Sequence, residues 1–191
     1  MNPITHFLVS WDLANVVPFE RRDRALITLA GVIPDIDGFG AIPELLTRNS
    51  DHPLFWWTDY HHILEHNLPF GLLITIGSFT IAKKRWKTAL LAFFTFHLHI
   101  LGDVLGGRGP DGYQWPIPYL YPFSDTWLLV WKGQWELNAW PNFVVTGIAL
   151  FLMFFLAWRR GFSPLEMVSA FADRVFVQTL RKRFGEPGTL G

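Results

Sequence analysis

Seven histidines and a set of aspartates are the residues through which this chain could do chemistry, since it has no cysteine. Disulfide frameworks and thiolate metal sites are therefore excluded. The spacing of the remaining ligand types is informative. His62 and His66 stand four residues apart, and so do His99 and Asp103. On a helix, an i,i+4 pair lies on one face. Two such pairs on facing helices are how helical metal sites are commonly built. Asp35 and Asp37 add two carboxylates in a Pro- and Gly-punctuated turn. Imidazole and carboxylate without thiolate suit zinc, and also manganese or iron, and this many ligands could hold two or three ions. Such clusters activate water and neutralise charge on a phosphoryl or carbonyl oxygen, so hydrolysis is the natural reaction. His61 could pair with Glu65 on a neighbouring face. His97 reads as a packing residue, His52 as a surface residue, and His6 is ambiguous from spacing alone.

Apolar segments must position these residues. The chain has 191 residues, 50% of them hydrophobic, with 18 Phe, 10 Trp and 4 Tyr. Its mean hydropathy is +0.23. Rings at this density must be hidden from water or placed in lipid. Residues 68–82 carry no charge, and a basic cluster from Lys83 to Lys87 follows. Residues 88–105 are apolar apart from His97, His99 and Asp103. This pattern predicts two helices joined by a basic turn. With equal rise, His66 before the turn and Asp103 after it come level at one end of the hairpin. Residues 143–158 are uncharged and flanked by Trp140 and by Arg159-Arg160, which predicts a transmembrane helix. Residues 25–34 are too short to cross, and residues 1–15, with Asp12 and no basic start, do not read as a cleavable signal peptide.

Ser163-Pro164-Leu165-Glu166 has the form of a capping box. Leu165, Val168, Ala172, Val175 and Thr179 follow at helical spacing, which predicts an amphipathic helix on the membrane surface and a loose tail over 186–191. Residues 106–138 form a Gly/Pro-rich loop with four tryptophans, suited to the headgroup level. There Arg108 and Asp111 are candidate substrate contacts, although a turn over 109–112 explains them as well. The expected architecture is all-α: a multipass helical domain over 1–160, then a cytoplasmic helix and tail over 161–191. The positive-inside rule puts the basic clusters in the cytoplasm and the His/Asp end outside.

The ordered set of motifs resembles the bacterial family of membrane-bound metal-dependent hydrolases, LexA-regulated in some members. That family is distantly related to the zinc-dependent phospholipase C and single-strand nuclease superfamily. The matching pieces are Thr5-His6, Ile33-Pro34-Asp35-Ile36-Asp37, the region around His66, His99-Ile100-Leu101-Gly102-Asp103, and Tyr121-Pro122-Phe123-Ser124. The resemblance runs from Thr5 to Ser124. It departs at Glu65-His66-Asn67, where the family has Thr and Ser beside the histidine. It implies His6, Asp35, Asp37, His66, His99 and Asp103 as metal ligands or their neighbours. His62 joins them by spacing. It also implies a carboxylate general base, for which Asp37 is the choice and Asp12 the reserve.

The expected function is hydrolysis of an ester, in first place a phosphoester of a lipid or lipid-linked molecule, with membrane lipid as the partner. Equal numbers of basic and acidic residues, 16 each, argue against nucleic acid. Two other readings stand beside it. His61-His62-x-x-x-His66 resembles the histidine boxes of membrane di-iron oxygenases and desaturases, although a further His-x-x-His-His box is absent. A metal-ion transporter would place its ligands near mid-bilayer instead of at one end of a hairpin.

Overall fold

The computed structural model describes residues 1–109 and 112–188. Its chain order follows from local signals. Asn2 accepts from the Thr5 N–H and Pro3 occupies the first turn, so α1 runs Pro3–Ala14. α2 (Arg21–Ala30) ends at Gly31. A 3-10 segment, Ile33–Gly40, leads into α3 (Ala41–Thr47). α2 and the stretch Ile33–Thr47 are bent by 50° at their break, the geometry of a broken span or a re-entrant loop. The short α4 (Trp56–Tyr60) follows, then the hairpin of α5 (Leu68–Ile81) and α6 (Arg85–Gly106) expected from the sequence.

α1, α2, α5 and α6 pack together, and α7 (Trp140–Arg160) lies against α1. Trp11 is fully buried on Leu8, Ala149 and Met153. Between α5 and α6, a Cβ on Gly71 would lie 2.6 Å from the Phe96 ring, so the missing side chain lets the two helices approach. The basic turn is pinned from α2: the buried Asp23 carboxylate accepts from the backbone N–H groups of Lys83 and Lys84, each at 2.9 Å. Asp23 is thus a structural cap for the hairpin and not a surface counter-charge.

Among the described residues, α6 and α7 are long and apolar enough to cross a membrane, and the bent pair would make a third span. Only 22% of the apolar window of α7 is buried in the protein. Phe143, Phe151 and Ile148 are among its exposed side chains. Apolar surface of this kind on a single helix suits lipid.

Two expectations need correction. The chain is helical but not purely so, because Ile117–Pro118 (β1) pairs antiparallel with Leu128–Leu129 (β2) inside the aromatic loop. The capping-box sequence forms only a 3-10 turn, Pro164–Met167, and α8 (Ala170–Phe184) begins later, capped by Ser169. Glu166 does not fold back on its own turn. It makes a buried bidentate pair with Arg24 of α2, at 2.7 and 2.5 Å. Burying that ion pair satisfies both partners and ties the C-terminal segment to α2. Asp173 and Val177 face the protein, while Val168 and Val175 of the predicted apolar stripe stay exposed.

Candidate metal centre

The two ligand pairs reach the site differently. His99 and Asp103 sit on the last turns of α6, as their spacing predicts, and both are buried. His62 and His66, by contrast, are not on a helix. Asn67 caps α5 by accepting from the Phe70 N–H, and Pro69 lies in its first turn. A proline there clashes with the carbonyl four residues back, so the helix cannot extend to His66. His62 instead takes a left-handed backbone, with φ at 67°. Its N–H donates to Asp37 Oδ2 at 3.1 Å, a contact that holds this uncommon conformation in place. The Asn67-x-Pro69 signal was in the sequence, and it moves both histidines into a turn. His66 still comes level with Asp103, its Nε2 lying 3.5 Å from Oδ2.

Four residues converge. One ligand atom each from Asp35, His66, His99 and Asp103 falls within a 4.8 Å span. Their hydrogen bonding shows which atoms face inward. His99 Nδ1 lies 3.0 Å from the Gly31 carbonyl, which can only accept, so the proton is on Nδ1. The Nε2 lone pair is left for the site. A ring nitrogen anchored to a backbone carbonyl, with the other turned to a cluster of ligands, is the arrangement metal-binding histidines adopt. His66 Nε2 faces that lone pair at 3.1 Å, and Asp103 Oδ2 lies 3.0 Å from His99 Nε2 but off the line of a hydrogen bond. Asp35 Oδ2 is also buried with no hydrogen-bond partner. Buried acceptors left unpaired within one cluster are costly unless a cation or protons are shared among them. The donor set fits a divalent ion of the zinc, manganese or iron type.

Electrostatics agree with this. Burial pushes the His66 ring down, but the Asp103 and Asp37 carboxylates on either side outweigh it and lift the ring to about 9. Groups that hold a proton this firmly on a ligand nitrogen will hold a divalent cation in its place, the two being competitors. Burial and the neighbouring His66 keep His62 well below the ordinary imidazole value. Burial, then the Asp37 charge, raises Glu65.

The other sequence candidates surround the four. His6 Nε2 is 3.0 Å from Asp103 Oδ1, and its ring lies 3.8 Å from that of His99. The Met1 amino group also donates to Asp103 Oδ1. A Cβ on Gly102 would lie 3.0 Å from His6 Cε1, so the glycine of the His99–Asp103 motif makes room for that ring. Asp37 stands behind the cluster and does not line the cavity in front of it. His61 Nδ1 is 2.6 Å from its Oδ1, and His66 Nδ1 is 3.2 Å from its Oδ2. Its backbone N–H donates to Glu65 at 3.0 Å. Both oxygens are engaged by histidines, which removes the reason for choosing Asp37 as general base.

The cavity, about 270 Å³, is walled by Trp57, Trp115, His61, His62, Asp35 and Asp103. Trp57 stacks on His61 at 3.8 Å, and Trp115 meets His61 and His62 edge-on at 5.0 and 5.1 Å. Of the two tryptophans, only Trp115 could be anticipated, as one of the loop tryptophans. Gly31 and Trp57 carried no signal, since a backbone carbonyl and a stacking ring have no spacing rule.

Several candidates lie elsewhere. His97 bonds Phe93 O and the Tyr119 hydroxyl, each at 2.7 Å, and packs as expected. His52 is exposed. Asp12 lines a separate groove that Arg160 also lines. Arg108 pairs with Glu136 at 3.6 Å instead of facing the cavity, and Asp111 is outside the described residues. In the Tyr121–Ser124 motif, Phe123 is exposed and Ser124 Oγ bonds Thr126.

Fold and site together define a helical protein with two or three helices fit to cross a membrane and a buried His/Asp cluster that could bind a metal ion. Comparison of sequences narrows this. A model of the YdjM inner membrane protein family matches residues 1–183, and the chain belongs to that family. No curated protein and no solved structure gives a significant match.

Proposed function

We propose that this chain is a multipass membrane hydrolase that cleaves an ester, in first place a phosphoester of a lipid or lipid-linked molecule, at a divalent-metal centre on the extracytoplasmic side. The observation that carries the reading is the convergence of Asp35, His66, His99 and Asp103, with the His99 tautomer fixed by Gly31. When bound there, a divalent ion would supply an activated water and neutralise charge on a phosphoryl oxygen.

The chain's own residues divide the remaining work. Asp103, His99 and His66 would hold the ion, and Asp35, which both belongs to the set and lines the cavity, is the carboxylate that would take a proton. His6 buttresses Asp103 and His99. Asp37 orients His61 and His66 through its two oxygens. Trp57 and Trp115 narrow the mouth and limit water around the reacting group. Exposed Phe39, Leu46, Phe123, Trp127 and Trp140 favour a lipid-derived substrate, because such rings and chains suit the interface.

The test is hydrolysis of phosphoester lipids by the purified full chain, with zinc or manganese supplied or chelated. Metal-dependent cleavage that disappears in His99→Ala is expected. Turnover that needs iron and oxygen would favour an oxygenase. Vesicle metal flux that depends on His99, with no ester cleaved, would favour a transporter.

A further inference from the structure

α7 and α8 enclose a second concavity at the far end of α7 from the metal cluster. Its volume is about 580 Å³, and its walls are Phe151, Phe154, Phe155, Trp158, Leu180 and Phe184. The walls offer no hydrogen-bonding group to an occupant. The only polar atom among these side chains, the Trp158 indole N–H, already donates to the Gly185 carbonyl at 2.7 Å. Whatever fills the groove there must be hydrocarbon. Its rim is different in character. Arg159 and Arg183 are exposed next to the wall residues Trp158 and Phe184 in sequence, and the Arg159 guanidinium lies 5.9 Å from the Phe155 ring centre. The nearby Glu186 is taken by Arg181 at 3.4 Å. Among the described residues, no carboxylate pairs with the two rim cations.

We infer that this groove is a binding site for an anionic phospholipid of the leaflet that meets the α7 C-terminus, with an acyl chain against the aromatic walls and the phosphate between Arg159 and Arg183. Cations in the last turn of α8 also complement the helix dipole. That explanation covers Arg183, but neither Arg159 nor the six apolar walls beside them. A second protein copy would need counter-charges as well as apolar surface, whereas an anionic lipid carries both parts in one molecule. The inference does not depend on the chemistry of the metal cluster.

The test uses the delipidated full chain in detergent, titrated with phosphatidylglycerol or with phosphatidylcholine of the same acyl chains, and bound lipid is counted by native mass spectrometry. Each basic side chain near an anionic surface contributes roughly fivefold, so a preference for phosphatidylglycerol on the order of 25-fold is expected. Arg159→Ser/Arg183→Ser, both at exposed positions, should reduce it to near unity without altering the circular dichroism, whereas Lys182→Ser on the opposite face of α8 should leave it. Leu180→Asp, which places a carboxylate on the apolar wall, should lower retention of both lipids. Equal retention of the two lipids by the unaltered chain would overturn the inference. So would a preference that survives the double substitution, or a lipid-free dimer that protects α8.

Discussion

Asp37→Asn separates a ligand from a carboxylate that orients ligands. Asp37 receives two hydrogen bonds, from His61 Nδ1 at 2.6 Å and from the His62 N–H at 3.1 Å, and the His66 ring stands against it as an ion pair at 3.2 Å. Asparagine keeps the shape but removes the charge and turns an NH₂ group toward one of those donors. Losing a single charge-assisted hydrogen bond costs about 1.5–3 kcal/mol. At 1.4 kcal/mol per factor of ten, that is roughly 10- to 100-fold in metal affinity, the range found when partners behind a ligand are removed. The measurement is competition of the purified protein against a chelator of known affinity, with metal content read by elemental analysis and the fold checked by circular dichroism. Asp35→Asn, which alters one of the four converging residues, should cost distinctly more. Affinity unchanged in Asp37→Asn would refute the orienting role. Metal loss as complete as in His99→Ala would show that Asp37 is itself a ligand.

Other expected outcomes follow from the same contacts. His66→Ala and Asp103→Ala should each sharply reduce the metal bound to the purified chain, and undiminished content in both would defeat the ligand assignment. Gly31→Ala places a Cβ against Ser10 Oγ and 2.7 Å from Thr95 Cγ2, so it should lower stability by about 1–3 kcal/mol through overpacking and weaken metal binding by displacing the carbonyl that anchors His99. Unchanged melting temperature and metal affinity would contradict that. Arg24→Ala alone should cost about 3–5 kcal/mol in a thermal melt, because Glu166 would be left buried and unpaired, and replacing both residues with apolar ones should restore much of the loss. A single variant as stable as the parent would show that water reaches the pair.

The hairpin was legible because its signals are local. An uncharged run, a basic turn and a second apolar run specify α5 and α6 by periodicity alone, and i,i+4 spacing puts His99 and Asp103 on one face. One element earlier the i,i+4 spacing of His62 and His66 misleads, because Asn67 caps α5 and Pro69 lies in its first turn, so the helix starts only at Leu68. The capping-box sequence misled for a related reason: Glu166 found a better partner in Arg24, 142 residues away, than in its own turn.

By itself, then, the sequence determined which residue types could bind a metal, which segments suit lipid, and which end of the hairpin carries the ligands, since all three depend on composition and short spacings. The tertiary structure decided which of the candidates converge. It brought Asp35 into the set and put Asp37 behind it, although both come from one five-residue motif. It fixed the His99 tautomer through a carbonyl 68 residues away and stacked Trp57 on His61. Contacts of this kind depend on how α2, α5 and α6 pack, and no local spacing rule carries that information.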